Sequence, residues 1–381
     1  VAETNSPANA YDVLIVGGGM VGASLAVALR GLPLKVGLIE AVEFESSAQP
    51  SYDDRTVALS YGSKRIFETL GIWNRLEADG ATAIHRIHIS DRGRFGFARL
   101  SHADAGVEAL GWVVENRALG RALKEVLTDC PGLTFFCPAA MESVEYAPDS
   151  AQVRIRHGDR VDTLTTRLVV AADGGRSLVR EQAGIETRRR EYHQTALVTN
   201  VTPERPHANV AYERFTDSGP LALLPMRDNR CAVVWSLLPE RAESIRQLGD
   251  VAFLAALQER FGQRLGRLIK AGQRAAYPLA RTEVMEHVRP RLALIGNAAH
   301  TVHPVAGQGF NLGLRDVATL AQILGEAQRA GEDPGDLTVL QRYAQWRRRD
   351  VWATSSFTNG LVSVFSNDLA PLSVARNLGL V

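Results

Sequence analysis

The sequence predicts an α/β fold in which strand, glycine-turn and helix units are interrupted by an antiparallel sheet and closed by a C-terminal helical segment. Buried-type strand runs end in glycine turns at three separated places, a long central stretch alternates with period two, and the tail spaces its apolar residues three and four apart. With 381 residues, 45% hydrophobic and 22% charged, the chain can bury the core this architecture needs. Its 43 basic residues nearly balance 42 acidic ones, so no global field recruits nucleic acid or an acidic membrane, and no nucleic-acid partner is expected.

In chain order, the polar lead-in VAETNSPANA has no basic patch followed by an apolar core, which predicts a short disordered segment and no signal peptide. DVLIVGGGMVGASLAVALRG, residues 12–31, reads as a buried strand, a glycine turn and an alanine-rich helix; KVGLIE, residues 35–40, adds a second strand and completes a βαβ unit. RLVVAADGG, residues 167–175, precedes a helical RSLVREQAG, and RLALIGNAA, residues 291–299, repeats the strand-to-turn junction. From 196 to 238 the texture changes: Val210 and Tyr212, Leu221 and Leu223, then Cys231, Val233, Trp235 and Leu237 alternate around the turns DSGP and RDN, which predicts an antiparallel meander. Val251, Leu254, Leu257, Phe261, Leu265 and Leu268 follow at the spacing of one face of an amphipathic helix. After Asp316 the pattern is helical to the end, with Leu337, Leu340 and Tyr343 on one face and Arg347, Arg348 and Arg349 interrupting it.

Gly17, Gly19 and Gly22 spell GxGxxG after a strand and at the opening of a helix, and Glu40 ends the next strand 21 residues beyond Gly19. Such a turn lets a pyrophosphate sit on the helix N-terminus while the acid accepts from ribose hydroxyls, so a dinucleotide is expected, with NAD and FAD both open at this point. Gly307, Gly309 and Gly313 in GNAAHTVHPVAGQGFNLGLRD, residues 296–316, leave few side chains to pack, and their backbone amides are expected to approach a ligand closely. Cys130, Cys137 and Cys231 are odd in number and lack CxxC spacing, which argues against a disulfide framework or a metal site and fits a reducing cytoplasm. No window of 18 unbroken apolar residues occurs, so no spanning helix is predicted. His300 and His303 are expected as hydrogen-bonded histidines rather than catalytic bases. The RRR runs at 188–190 and 347–349 are expected on solvated faces, with phosphate or membrane contact as the alternative. Trp346, Trp352, Phe357, Leu361 and Phe365 are expected in the core, with lipid contact as the alternative.

Taken together, GGGMVG with Glu40, AADGGRS at 171–177 and GNAAHTVHPVAGQGFNLGLRD resemble the single-component FAD-dependent aromatic hydroxylases. That family's third motif usually reads GDAAH. Here Asn297 replaces the acid, and GN followed by HPVAGQGFN is similar to the ubiquinone-biosynthesis members that act on 2-octaprenyl-6-methoxyphenol. DDRTVALS at 53–60, ETLGIW at 68–73, VVENRAL at 113–119 and ERFTDSGPLALLP at 213–225 extend the resemblance over nearly the whole chain.

The resemblance implies a para-hydroxybenzoate-hydroxylase-like fold: a Rossmann-type FAD-binding domain of residues 1–75, 105–185 and 278–335, an inserted antiparallel-sheet substrate domain of residues 76–104 and 186–277, and a C-terminal helical segment of residues 336–381. It implies that NAD(P)H, a transient visitor because only one GxGxxG is present, reduces FAD, and that O2 captured as a flavin C4a-hydroperoxide hydroxylates a prenylated phenol. Cofactor-binding residues would be Gly17, Gly19, Met20, Val21, Gly22, Glu40, Arg55, Asn116, Asp173, Asn297, Gly307, Gln308, Gly309, Phe310 and Asn311. Pro304, Gly309, Asn311 and Leu312 would serve catalysis, with helix-tip amides facing the pyrimidine edge of the flavin. Phe215, Leu224, Pro225 and Pro304 would line the substrate pocket. A cytoplasmic location with peripheral association at the inner membrane is expected, among other ubiquinone-biosynthesis proteins, and a homo-oligomer stays open. Two alternatives remain beside this: a hydroxylase of a small soluble aromatic acid, with Arg214 as the cation it would require, and a flavin reductase or isoprenoid epoxidase.

Overall fold

The computed structural model describes residues 9–43, 55–92, 97–301 and 307–365. His303, Pro304 and Val305, Asp53 and Asp54, the lead-in before Asn9 and the tail after Phe365 lie outside them, as do the side chains of Phe357, Leu361 and Phe365.

The first unit is β1 (Ala10–Val16), α1 (Met20–Leu29) and β2 (Val36–Ile39). β1 and β2 pair in parallel, and their apolar runs are buried on both faces, as parallel strands covered by helices must be. There follow β3 (Thr56–Ser60), α2 (Tyr61–Thr69), α3 (Trp73–Ala78), β4 (Thr82–Ile84), β5 (Arg86–Asp91), β6 (Phe97–Ser101), β7 (Gly111–Glu115) and α4 (Asn116–Thr128). Ser60 ends β3 and caps α2, its Oγ accepting from the Ser63 N–H at 3.2 Å. The chain then runs through β8 (Leu133–Phe136), β9 (Ala140–Tyr146), β10 (Ala151–His157), β11 (Arg160–Ala171) and α5 (Leu178–Gln182).

The second half contains β12 (Thr187–Pro203), β13 (Val210–Thr216), β14 (Gly219–Met226), β15 (Arg230–Leu237), α6 (Pro239–Arg246), α7 (Asp250–Phe261), β16 (Leu268–Ala271), β17 (Ala275–Val284), β18 (Val288–Arg289), β19 (Leu292–Leu294), β20 (His300–Thr301), α8 (Gln308–Ala330) and α9 (Leu337–Phe365). One sheet runs β18-β19-β11-β1-β2-β8; a nine-stranded sheet runs β20-β17-β12-β15-β14-β13-β5-β6 with β16 on β12; β3, β7 and β4 form a third. β4, within the 76–104 segment expected in the substrate domain, pairs with β7 in the small sheet, whereas β5 and β6 join the large one.

Two expectations about helices are corrected. The helix expected over 251–268 stops at Phe261, because Gly262 turns left-handed at φ 89°; Leu265 and Leu268 reach the same core from a loop and from β16. Val251 is 86% exposed, since the buried stripe is Phe253, Leu257 and Phe261 at intervals of one turn. The C-terminal helix divides at Gly331, φ 69°, into α8 and α9.

Candidate active site

β19, β11 and β1 are parallel neighbours, so the three glycine turns, nearly 300 residues apart at their extremes, open side by side at the carboxyl ends of one sheet. That is where open α/β sheets bind ligands. In the first turn Gly17 has φ 104°, and a Cβ there would sit 2.5 Å from the Ala172 carbonyl oxygen; a Cβ on Gly22 would sit 1.9 Å from that of Gly17. The turn is tight enough that only glycine fits, and it leaves the N-terminal amides of α1, from Gly19 through Met20 and Val21 to Gly22, without helical partners. Val21 itself packs its side chain inward.

Glu40, buried at the end of β2, accepts from the Gly18 N–H at 2.7 Å through Oε2 and from the Val42 N–H at 2.8 Å through Oε1. A carboxylate has about four acceptor positions, so two hydrogen bonds to the protein leave it able to take ribose hydroxyls. Asp173 follows β11, and its Oδ2 accepts from the Val179 N–H at 3.2 Å while the buried Oδ1 has no hydrogen-bond partner among the described residues. Burial lifts this carboxyl above its ordinary range, partly offset by Ser177 and the α5 amides. An orphaned buried acceptor beside the glycine turn fits a hydroxyl-bearing cofactor. Asn297 is exposed on the short 3-10 turn Gly296–Ala298 after β19. Asn116, buried at the start of α4, donates its N–H to the Arg55 carbonyl at 2.8 Å, and the Arg55 guanidinium lies 4.8 Å from the Tyr277 ring centroid, spanning from the small sheet to the large one.

The second glycine-rich stretch is organised differently from expectation. Gly307 caps α8 at φ 62°, so the amides of the first helical turn are those of Gly307, Gln308, Gly309 and Phe310, two residues earlier than the Gly309–Leu312 group expected. Asn311 is buried and all its side-chain capacity is used internally. Its Nδ2 donates to the Ala58 and Gly307 carbonyls at 2.8 and 2.7 Å, and its Oδ1 accepts from the Ser60 N–H at 2.8 Å and the Ser63 hydroxyl at 2.6 Å. It staples the helix tip to β3 and α2. Leu312 is fully buried in the core. Gly313 makes room for α1: a Cβ there would lie 2.8 Å from Val21 Cγ2. Phe310 leans on Phe67, ring centroids 6.3 Å apart.

A buried network braces this turn. Asp316 accepts from the Gly296 N–H at 2.8 Å, from His300 Nε2 at 2.8 Å and from Arg347 Nε at 2.6 Å. Burial pushes its carboxyl up, but His300, Arg347 and the Gly296 amide outweigh that and hold it down at about 2. Arg347, expected on a solvated face, is thus a core residue, while Arg348 and Arg349 are exposed. Trp346 and Trp352, expected in the core, are 64% and 69% exposed, because the stripe of α9 that packs inward is Leu340, Tyr343 and Arg347.

The large sheet has two unlike faces. Leu221, Leu223, Cys231, Val233 and Trp235 pack beneath α6 and α7. The other face meets the small sheet at one end, where Ala211, Met226 and Ala232 pack on Ile84 and Val113. Further along, Ile89, Glu213, Ala222, Val234 and Val198 form one ladder row across the sheet, all but Ala222 only half-buried. Leu224 and the buried Phe215 lie on this face. Pro225 does not: it pairs with Cys231 on the α7 side, since neighbours in a strand point to opposite faces. Arg214 also points to the α7 side, opposite Leu221 and Ser90. Glu213 and Asp316 are not among the residues expected at the site, and Arg347 is expected on a solvated face. Glu213 interrupts the apolar alternation of β13, a signal visible in ERF; the other two carry none.

Residues 10–358 match the family model described as an FAD binding domain. The chain is 40% identical over 377 residues to the ubiquinone hydroxylase UbiL of Rhodospirillum rubrum, covering 99% of this chain and 87% of that protein. It is 34% identical over 383 residues to the 3-demethoxyubiquinol 3-hydroxylase of Escherichia coli, covering 99% and 95%. In fold it is similar to PqsL of Pseudomonas aeruginosa, in its complex with 2-aminobenzoylacetate, with TM-score 0.82 at 23% identity over 98% of this chain and 99% of the other.

Proposed function

The chain belongs to the FAD-dependent aromatic hydroxylases of the ubiquinone-biosynthesis group, and from that premise we propose that it hydroxylates the ring of a polyprenylated phenol of the 2-octaprenyl-6-methoxyphenol type. It is an FAD-dependent monooxygenase of a family using NAD(P)H. Bound FAD supplies the oxidising chemistry; the chain must hold the dinucleotide, keep water out and present the ring. We assign the first task to the α1 amides, Glu40 and Asp173, and the charge-stabilising task to the α8 helix tip at Gly307, Gly309 and Phe310.

The observation that carries the substrate reading is the half-buried floor of the large sheet, apolar along Ile89, Val198, Leu224 and Val234, whose central row carries the Glu213 carboxyl while Arg230 at the small-sheet end is held by Glu115. An anionic aromatic acid would be repelled there, and Arg214, the cation that alternative requires, lies on the opposite face. A neutral phenol with an apolar tail suits the floor. Gene deletion followed by quinone-precursor analysis tests the assignment: accumulated 2-polyprenyl-6-methoxyphenol is expected, and an unaltered quinone profile refutes it.

Delivery of such a substrate poses a physical problem. Each buried CH₂ is worth about 0.8 kcal/mol, so ten hold a prenyl tail in a bilayer by roughly 8 kcal/mol, and no described helix is long and apolar enough to span one. We infer peripheral contact through α9, where the exposed Trp346 and Trp352 flank Arg348 and Arg349. Sedimentation with vesicles containing anionic lipid is expected to fall several-fold in the W346A/W352A protein; unchanged sedimentation would remove α9 from the contact.

A further inference from the structure

We propose that Glu213 is the proton acceptor for the phenolic hydroxyl of the substrate, an inference that rests on the phenol reading above. β13 pairs with β5 on one side and β14 on the other, so Glu213 projects from the interior of the large sheet and not from its edge. Alternation along the strand fixes its direction: Tyr212 packs toward Phe261 of α7, whereas Ala211 packs on Ile84 and Val113 of the small sheet, and Glu213 shares the Ala211 face. Its row neighbours, Ile89 and Ala222, are apolar and offer it no donor.

Other ionisable groups on that face stand apart from it. Asp91 partners Phe215 at the end of β5, Tyr277 lies across the sheet under Arg55, and Arg230 is held by Glu115 at 2.7 Å. None perturbs Glu213: burial alone pushes its carboxyl up, to about 7. A half-buried carboxyl without a donor among the described residues, on the floor where the ring would lie, has a ligand hydroxyl as its natural partner. An acid poised near neutral pH is also suited to accept a proton during turnover.

The step balances without a further reagent. As the ring carbon ortho or para to the hydroxyl gives a π pair to the incoming oxygen atom, the phenolic O–H bond breaks toward Glu213. Its pair becomes the π bond of a ring C=O, and the proton resides on the carboxyl. The proton on the oxygenated carbon passes to the ring carbonyl oxygen, which restores the aromatic ring and its hydroxyl, and the other atom of O2 leaves as water with the two electrons of NAD(P)H and protons from solvent. The carboxyl then returns its proton to solvent.

The test compares FAD-loaded wild type, E213Q and E213D on a short-chain prenylated 2-methoxyphenol between pH 5.5 and 9. In the wild type, kcat is expected to rise through a limb near pH 7. E213Q is expected to lose about 100-fold or more in kcat and to lose the limb, with KM changed less than about fivefold; E213D is expected to keep the limb. A second readout needs no turnover. Bound 4-nitrophenol, whose phenolate absorbs separately, is expected to stay protonated at pH 8 beside the Glu213 carboxylate and to ionise more readily in E213Q. E213Q matching the wild type in kcat, limb and nitrophenol ionisation would overturn the assignment of Glu213. Absence of any hydroxylated phenol from the wild type would instead overturn the function on which it rests.

Discussion

The two glycine-rich turns are built on one device with opposite outcomes. In each a buried carboxylate accepts the N–H of a turn glycine: Glu40 from Gly18 at 2.7 Å, Asp316 from Gly296 at 2.8 Å. Glu40 takes one more bond, from a backbone amide, and keeps acceptor capacity. Asp316 is fully buried and takes two more, from His300 and Arg347, which arrive from β20 and α9. The first carboxylate can serve a ligand as well as the fold; the second can serve only the fold. Glycine count does not separate these cases, because Gly22 closes on its own turn whereas Gly296 and Gly313 both admit Val21.

The comparison breaks most visibly at Arg347. Its truncation to Ala leaves Asp316 buried and short of a partner, and a stability loss of about 3–5 kcal/mol is expected by chemical denaturation. A loss under about 1 kcal/mol would mean the second turn does not depend on the network. Asp316 also has a pH signature. Its carboxyl titrates lower in the folded chain than in the unfolded one, so its contribution is present above the unfolded value near 4 and disappears as pH falls through about 2. D316N is expected to flatten that part of the acid limb by about 2 kcal/mol relative to wild type, measured by denaturation from pH 5 to pH 2.

Gly22→Ala and Gly313→Ala sharpen the contrast between the turns. The Gly22 Cβ would collide with backbone at 1.9 Å, and flavin affinity is expected to fall at least 100-fold; the Gly313 Cβ meets the movable tip of Val21, and about 1–3 kcal/mol of stability is expected to be lost with affinity nearly intact. Equal effects on flavin titration would show that both turns touch the cofactor alike. The smallest effect is expected of Glu40→Gln, about tenfold in flavin affinity, roughly 1.4 kcal/mol, with little change in melting temperature.

Much of the fold was legible because its signals are short-ranged. The apolar run of β1, the turn beginning at Gly17 and the alternation of β14 and β15 each lie within about ten residues, the range over which strand and helix periods declare themselves. The site was legible to the same extent. GxGxxG and the acid ending β2 identify themselves by spacing, whereas the substitution of Pro225 for a floor residue followed from reading a segment without its register. The end of α7 was missed because Leu265 and Leu268 keep helical spacing past Gly262 while reaching the core by another route.

By itself, the sequence determined that three strand-to-glycine-turn junctions frame an antiparallel insertion, and its motifs identified the chemistry as that of flavin hydroxylation. Only the tertiary structure decided that Asn311 is a staple, that Arg347 is a core ion, and that Glu213 faces the cleft while Arg214 faces α7. The reason is physical. Periodicity reports the local chain path, but the partner of a buried charge and the face a strand residue presents are set by pairings such as Arg347 with Asp316 and β13 with β5, which no local pattern encodes.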